Sequence, residues 1–218
     1  MSGYETKVQS IPVGAQANLI VRSLKDLQQY DDPASEAADA GISSATWPLF
    51  GHIWPSGRIL AEHMATVDIA GRRVLELGCG LAFASLMLHR AGADVTATDI
   101  HPEAGHFLLA NIALNILHPL SFHRADWASV DPGLGRFGLL VGSDILYERT
   151  HAGALAGFIA RHAHVDAEVI VVDPNRGHRA EFRRLMHHQS FAATVIAAPA
   201  TMFDGVAYRG QILSFRRR

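Results

Sequence analysis

From Arg72 onward, short β-branched and apolar runs alternate with segments of helical length, and this alternation limits the possible folds more than any other feature. RVLEL (73–77), DVTATD (94–99), LSFHRAD (120–126), FGLLVGSD (137–144) and AEVIVVD (167–173) read as strands. Helical stretches are expected at 82–91, 103–117, 151–163 and 178–189. Mostly apolar strands separated by helices fit a parallel sheet buried on both faces. Two last runs, FAATVIAA (191–198) and VAYRGQILSFR (206–216), are joined by PATMFDG with no helix between them, so they predict an antiparallel pair. The expected fold is α/β: a seven-stranded, mostly parallel sheet with an antiparallel last strand and helices on both faces.

Upstream, KVQSIPV and ANLIVRSL flank Gly14 and predict a small β-hairpin, whereas DDPASEAADAGISSA (31–45), rich in small and acidic residues, predicts a mobile loop. WPSGRILAEHM (54–64) carries Ile59, Leu60 and Met64 at helical spacing, with Pro55 suited to a first turn. Residues 1–50 are thus expected to form an N-terminal extension and 51–218 the main domain. At 218 residues and 49% hydrophobic content, one sizeable core is expected. A formal net charge of −2 gives no basic field for nucleic acid. Arg216 to Arg218 form the one basic run, expected to be a solvated tail. No apolar run nears the roughly 20 residues that span a bilayer, and MSGYETKVQS lacks a signal-peptide layout. A cytoplasmic protein without membrane contact is expected. The single cysteine, Cys79, excludes an internal disulfide and a cysteine-rich zinc site, and thirteen histidines form no familiar ligand spacing, so no metal is expected.

The first main strand ends in VLELGCGLAFAS (74–85), where an apolar run meets a carboxylate and then a glycine pair. In open α/β sheets ligands sit beyond the carboxyl ends of the strands, and Gly78 and Gly80 fall there. Asp99, at the next strand end, follows at the roughly 20-residue spacing that puts a carboxylate on ribose hydroxyls. Two ligands compete: a dinucleotide such as NAD, and S-adenosylmethionine. A dinucleotide turn calls for a third glycine where this chain has Phe83. Glu76 would also oppose a pyrophosphate, whereas it suits the cationic amino-acid end of S-adenosylmethionine. The balance favours the methyl donor.

ELGCG (76–80) followed by ATDIHPEAGHFLLANIALN (97–115) resembles the seven-strand, Rossmann-like S-adenosylmethionine-dependent methyltransferases, specifically methyltransferase family 16. WPSG (54–57), ADW (125–127) and GSDILYE (142–148) match that family's early tryptophan, adenine-side tryptophan and D-x-x-Y motif in order. The run with Ala110–Asn111 and Leu114–Asn115 is similar to the branch that methylates lysines of the electron-transfer flavoprotein β-subunit. Ala82 stands where the family often has a third glycine, and His101 where the branch usually has an acid.

The resemblance implies that Trp54, Gly78, Cys79, Gly80, Asp99, Trp127 and Ser143 contact the cofactor, with Asp126 an acceptor for the adenine amine. It places Asp144 and Tyr147 opposite the methyl group: Asp144 attracting an incoming ammonium, Tyr147 orienting its nitrogen. Cys79 is expected to offer its backbone only. The implied activity is protein-lysine N-methylation. The alternatives are a small-molecule N- or O-methyltransferase, an NAD-linked oxidoreductase and a cofactor-binding protein without turnover. The acceptor, the number of methyl groups and the oligomeric state are not written in the sequence.

Overall fold

In the computed structural model, which describes residues 4–69, 71–129 and 133–217, the chain opens with an antiparallel hairpin, β1 (Thr6–Val13) and β2 (Gln16–Leu24). Gly14 makes the turn with φ of 51°. The central sheet comprises β3 (Val74–Leu77), β4 (Val95–Asp99), β5 (Ser121–Arg124), β6 (Phe137–Ser143), β7 (Ala163–Asp173), β8 (Phe191–Ala197) and β11 (Gln211–Arg217). Between the last two, β9 (Met202–Phe203) and β10 (Val206–Ala207) form a separate two-residue ladder. The sheet order is β5-β4-β3-β6-β7-β11-β8. The first five strands run parallel, and β11 inserts antiparallel between β7 and β8. The run expected as one strand over 206–216 is therefore two, separated at Tyr208–Gly210.

Side chains alternate along each strand, and the alternation sorts them into two cores. Val74, Ala97, Val141 and Val172 face one side, with helices α2 (Pro55–Met64), α3 (Phe83–Arg90) and α4 (Ala104–Leu114). Leu75, Leu77, Leu140 and Val171 face the other, with α5 (His151–His162) and α6 (Arg179–His188). The strands are apolar at nearly every position because both faces are covered.

The hairpin joins the first core through Val13, Leu19, Val21 and Leu24, all but fully buried. Its free edge is closed by side chains: Asn111 accepts the Arg22 N–H at 2.7 Å, and Asn115 accepts the Ile20 N–H at 2.9 Å. Their amide nitrogens return to the Arg22 and Ile20 carbonyls at 3.3 and 2.7 Å. Four residues apart on α4, the two carboxamides lie on one helix face and mimic a neighbouring strand at alternate residues of β2. The asparagines in LLANIALN thus tie the N-terminal hairpin to the sheet's helical layer.

The segment 31–45, expected as a loop, carries a one-turn helix, α1 (Glu36–Asp39). Asp32 accepts the Ala37 and Ala38 N–H groups at 3.1 and 2.9 Å, and Arg124 reaches the Glu36 carbonyl at 3.0 Å. Two of the segment's acids are thus engaged, Asp32 on backbone amides and Glu36 with Arg124 at 3.4 Å. The arginine run also departs from expectation: Arg216 lies in β11 and pairs with Glu168 at 3.2 Å, Arg217 reaches the His164 carbonyl, and Arg218 lies outside the described residues.

Candidate active site

The carboxyl ends of β3, β4 and β6 open into a cavity of about 640 Å³, in the range usual for small-ligand sites. Every residue singled out from sequence lines it: Trp54, Glu76, Gly78, Cys79, Gly80, Asp99, Asp126, Trp127, Ser143, Asp144 and Tyr147.

At the β3 end, Gly78 and Gly80 take φ of 59° and 51°, and Ala82 follows at 57°. Both glycines are required by space as well as by angle. A Cβ on Gly78 would stand 2.9 Å from Ile145, and one on Gly80 would stand 2.8 Å from the Phe50 carbonyl oxygen. The turn is locked to its neighbour strand: the Cys79 N–H donates to the Thr98 carbonyl at 2.8 Å, and the Gly80 N–H donates to Asp99 at 2.7 Å. The other Asp99 oxygen accepts the His101 N–H at 2.8 Å. Burial raises the Asp99 pKa against these stabilising amides. Each oxygen still has a lone pair for a hydroxyl. Glu76, buried, accepts the Ser85 N–H at 2.9 Å, and burial pushes its pKa up to about 7. Burial also pushes the Cys79 thiol well above its ordinary value, so it carries no thiolate at neutral pH.

A 3₁₀ turn, Trp47–Gly51, forms the wall over this end. Phe50 stacks on the His101 ring at 3.8 Å and 15°, and Trp47 meets that ring edge-on at 4.7 Å. His101 Nδ1 accepts the Glu103 N–H at 3.1 Å, so the neutral ring carries its proton on Nε2, which has no hydrogen-bond partner among the described residues. Burial lowers its pKa to about 3. Trp54 anchors the same wall by donating Nε1–H to the Leu49 carbonyl at 2.8 Å, and Pro55 begins α2 behind it. At the β5 end, Trp127 packs against Gly78, and Asp126 is occupied in its own turn by the Ala128 N–H and the Ser129 hydroxyl, each at 2.9 Å.

The β6 and β7 end is built differently. Asp144 leaves β6 with φ of 55°, and its carboxylate receives Arg176 through Nε at 2.9 Å and Nη2 at 3.3 Å. Arg176 itself is fixed by its N–H on the buried carboxylate of Asp173 at 2.9 Å. Tyr147 is 41% exposed and meets the His151 ring at 4.5 Å and 82°, while burial of its hydroxyl end raises its pKa to about 12. Sequence reasoning missed Arg176, His151, His101 and Phe50 as cavity residues. Arg176 had a local signal, since it closes DPNR directly after the last buried parallel strand.

Among the described residues, no cluster of three metal-ligating side chains occurs, and no helix is long and apolar enough to cross a membrane. The donor set suits an adenosyl amino acid. It offers a carboxylate held by two amides for a diol, a buried acid for an ammonium, and indole for a base.

Comparison with known proteins agrees with this geometry. A family model described as lysine methyltransferase matches residues 44–189. The electron transfer flavoprotein beta subunit lysine methyltransferase of Xenopus laevis is 30% identical over 149 residues, spanning 66% of this chain and 60% of that protein. The magnesium-protoporphyrin O-methyltransferase of Rhodobacter capsulatus is 37% identical over 114 residues, 49% of this chain and 47% of that protein. The chain therefore spans about half to three fifths of the length of these relatives. A crystal structure of magnesium protoporphyrin IX methyltransferase from Synechocystis PCC 6803 with bound S-adenosylmethionine shares the fold, with a TM-score of 0.58 at 20% identity over 73% of this chain and 76% of that one. With its glycine turn, strand-end acid and D-x-x-Y segment inside the matched region, the chain belongs to the lysine methyltransferase family of S-adenosylmethionine-dependent enzymes.

Proposed function

We propose that the cavity binds S-adenosylmethionine and serves methyl transfer to a lysine side chain of a protein substrate. The observation that carries this reading is the Asp99 carboxylate, held toward the cavity by the amides of Gly80 and His101 beside the glycine turn. Asp99 is assigned to the ribose hydroxyls, and Gly78, Cys79 and Gly80 to the amino-acid portion through backbone. Glu76 acts on its ammonium. Trp127 walls the adenine with Asp126 at its amine edge, and Trp54 and Ser143 line the approach. When bound, the sulfonium supplies an activated methyl group. The protein's remaining work is to orient and desolvate a nucleophile.

A lysine amine, with a reference pKa of about 10.4, must be neutral to attack. Asp144 does not meet the incoming nitrogen as a free anion, because Arg176 covers its charge in two hydrogen bonds. Paired in this way, Asp144 pulls less on an ammonium, and a dry pocket disfavours the charged form further. Tyr147, kept protonated by burial, is a hydrogen-bond donor and an aromatic wall at this end. The same Arg176 would also favour an anionic acceptor. Together with the Rhodobacter O-methyltransferase relative, it supports a second reading, O-methylation of a small carboxylate or phenol.

The test supplies the purified protein with methyl-tritiated S-adenosylmethionine and recombinant electron-transfer flavoprotein β-subunit, alongside a total cell extract. Label on a protein band, mapped to lysine by mass spectrometry, is the expected result. Label confined to the small-molecule fraction would transfer the assignment to the second reading.

A further inference from the structure

His151 is a partly buried histidine held against the D-x-x-Y segment, and neither the cofactor site nor Asp144 uses it. It opens α5, its side chain is only 18% exposed, and it lines the cavity between two aromatic rings. Trp127 meets it at 5.4 Å and 83°, and Tyr147 at 4.5 Å and 82°. Its Nδ1 lies 3.1 Å from the Ile145 carbonyl oxygen. A carbonyl only accepts, so the neutral ring must carry its proton on Nδ1, and the lone pair is left on Nε2. Glu148 Oε2 stands 3.5 Å from that Nε2. A carboxylate facing a lone pair gains nothing, but it stabilises the same nitrogen once a proton arrives. This is the geometry of a base with an orienting carbonyl behind it and a counter-charge at its reactive atom.

We propose that His151 is the proton acceptor of the transfer reaction, taking at Nε2, directly or through one water, the proton that the acceptor group gives up. For a lysine, the ammonium N–H bond breaks with its electron pair left on nitrogen, and a new N–H bond forms at Nε2 against Glu148. The imidazolium then returns the proton to solvent through the exposed Glu148 side. The groups facing the ring are Glu148 and Tyr147 on its own loop and His178 at the start of α6; Trp127, from the loop after β5, is uncharged. Burial, with a contribution from His178, holds the ring below its ordinary pKa of 6.5, so at neutral pH it is free to accept. The proposal rests on the methyl-donor reading of the cavity.

The first arm needs no acceptor. In protein labelled with ¹⁵N-histidine, with His151→Gln assigning the resonance, His151 is expected to be neutral at pH 7 with the proton on Nδ1. A proton on Nε2, or a charged ring, overturns the proposal. The second arm measures transfer to the flavoprotein β-subunit against pH. His151→Gln should lower kcat at least tenfold and remove the rising acid limb while leaving S-adenosylhomocysteine affinity within twofold. Glu148→Gln should keep the limb but move it to lower pH, since the carboxylate raises the histidine pKa. An unchanged profile in His151→Gln overturns the base assignment. If the wild type binds S-adenosylhomocysteine but methylates no lysine, the lysine reading fails while the nitrogen spectrum still decides for or against His151.

Discussion

At the β3–β4 end of the cavity, carboxylates meet backbone amides: Asp99 holds Gly80 and His101, and Glu76 holds Ser85. At the β6–β7 end, side chains meet side chains: Arg176 grips Asp144 from 32 residues away, and His151 sits against Tyr147 and Trp127. The first kind of site is rigid because its partners belong to the sheet's own turns. The second depends on where a loop after β7 and the start of α5 happen to land. A fold can therefore keep one ligand constant at the first end and change its partner chemistry at the second.

The first end tolerates substitution least. Gly80→Ala adds a Cβ at positive φ and 2.8 Å from the Phe50 carbonyl. Strain of this kind costs about 1–3 kcal/mol, and because the turn shifts, a lowered melting temperature should accompany loss of S-adenosylhomocysteine binding. A stable variant with normal binding would show that the turn is not the cofactor cradle. Asp99→Ala removes hydrogen bonds to a charged group, each worth about 1.5–3 kcal/mol, and calorimetry should show at least a tenfold loss of affinity. Retained affinity would remove Asp99 from the ribose site.

Arg176→Gln addresses the second end with a smaller effect. Cofactor affinity should stay constant, because no backbone amide of the turn is touched. With the guanidinium gone, Asp144 is left to favour the ammonium form of a lysine acceptor, which raises that amine's pKa. The rising alkaline limb of transfer should then move to higher pH; a shift to lower pH would contradict the lysine reading of this end.

Glu76→Gln separates stability from binding. The folded pKa of Glu76 is raised from 4.5 to about 7, so the ionised form costs stability that is absent at low pH and is felt as pH rises through the folded value. The variant's melting temperature relative to wild type should therefore climb between pH 5 and 8, while cofactor affinity falls. His101 has the opposite sign. Its pKa is lowered from 6.5 to about 3, so its contribution is present above 6.5 and lost as pH falls toward 3. His101→Phe should flatten the acid side of a melting-temperature profile by a few degrees. An unchanged slope would mean that the ring is not buried neutral.

Much of the first end was legible in the sequence because its signals are local. A glycine pair, an acid at the strand's end and a second acid one βα unit later lie within VLELGCG and ATDIH. Strand and helix boundaries came from short-range periodicity in the same way. What could not be read was set by distant partners. Nothing near Asp144 announces Arg176, and nothing near Trp47 announces that it will pack on His101. Small and acidic composition over 31–45 predicts a mobile loop, whereas Asp32 accepts the amides of Ala37 and Ala38 and holds a helical turn. Val206–Ala207 and the run from Gln211 look like one strand in sequence, and only pairing with β7 and β8, which begins at Gln211, separates them.

If the glycine turn and Asp99 hold S-adenosylmethionine, calorimetric titration with S-adenosylhomocysteine, with NADH as the comparison ligand, will show it. Saturable one-to-one binding of S-adenosylhomocysteine, weakened in Asp99→Ala and absent for NADH, is the predicted result; saturable binding of NADH alone would contradict it.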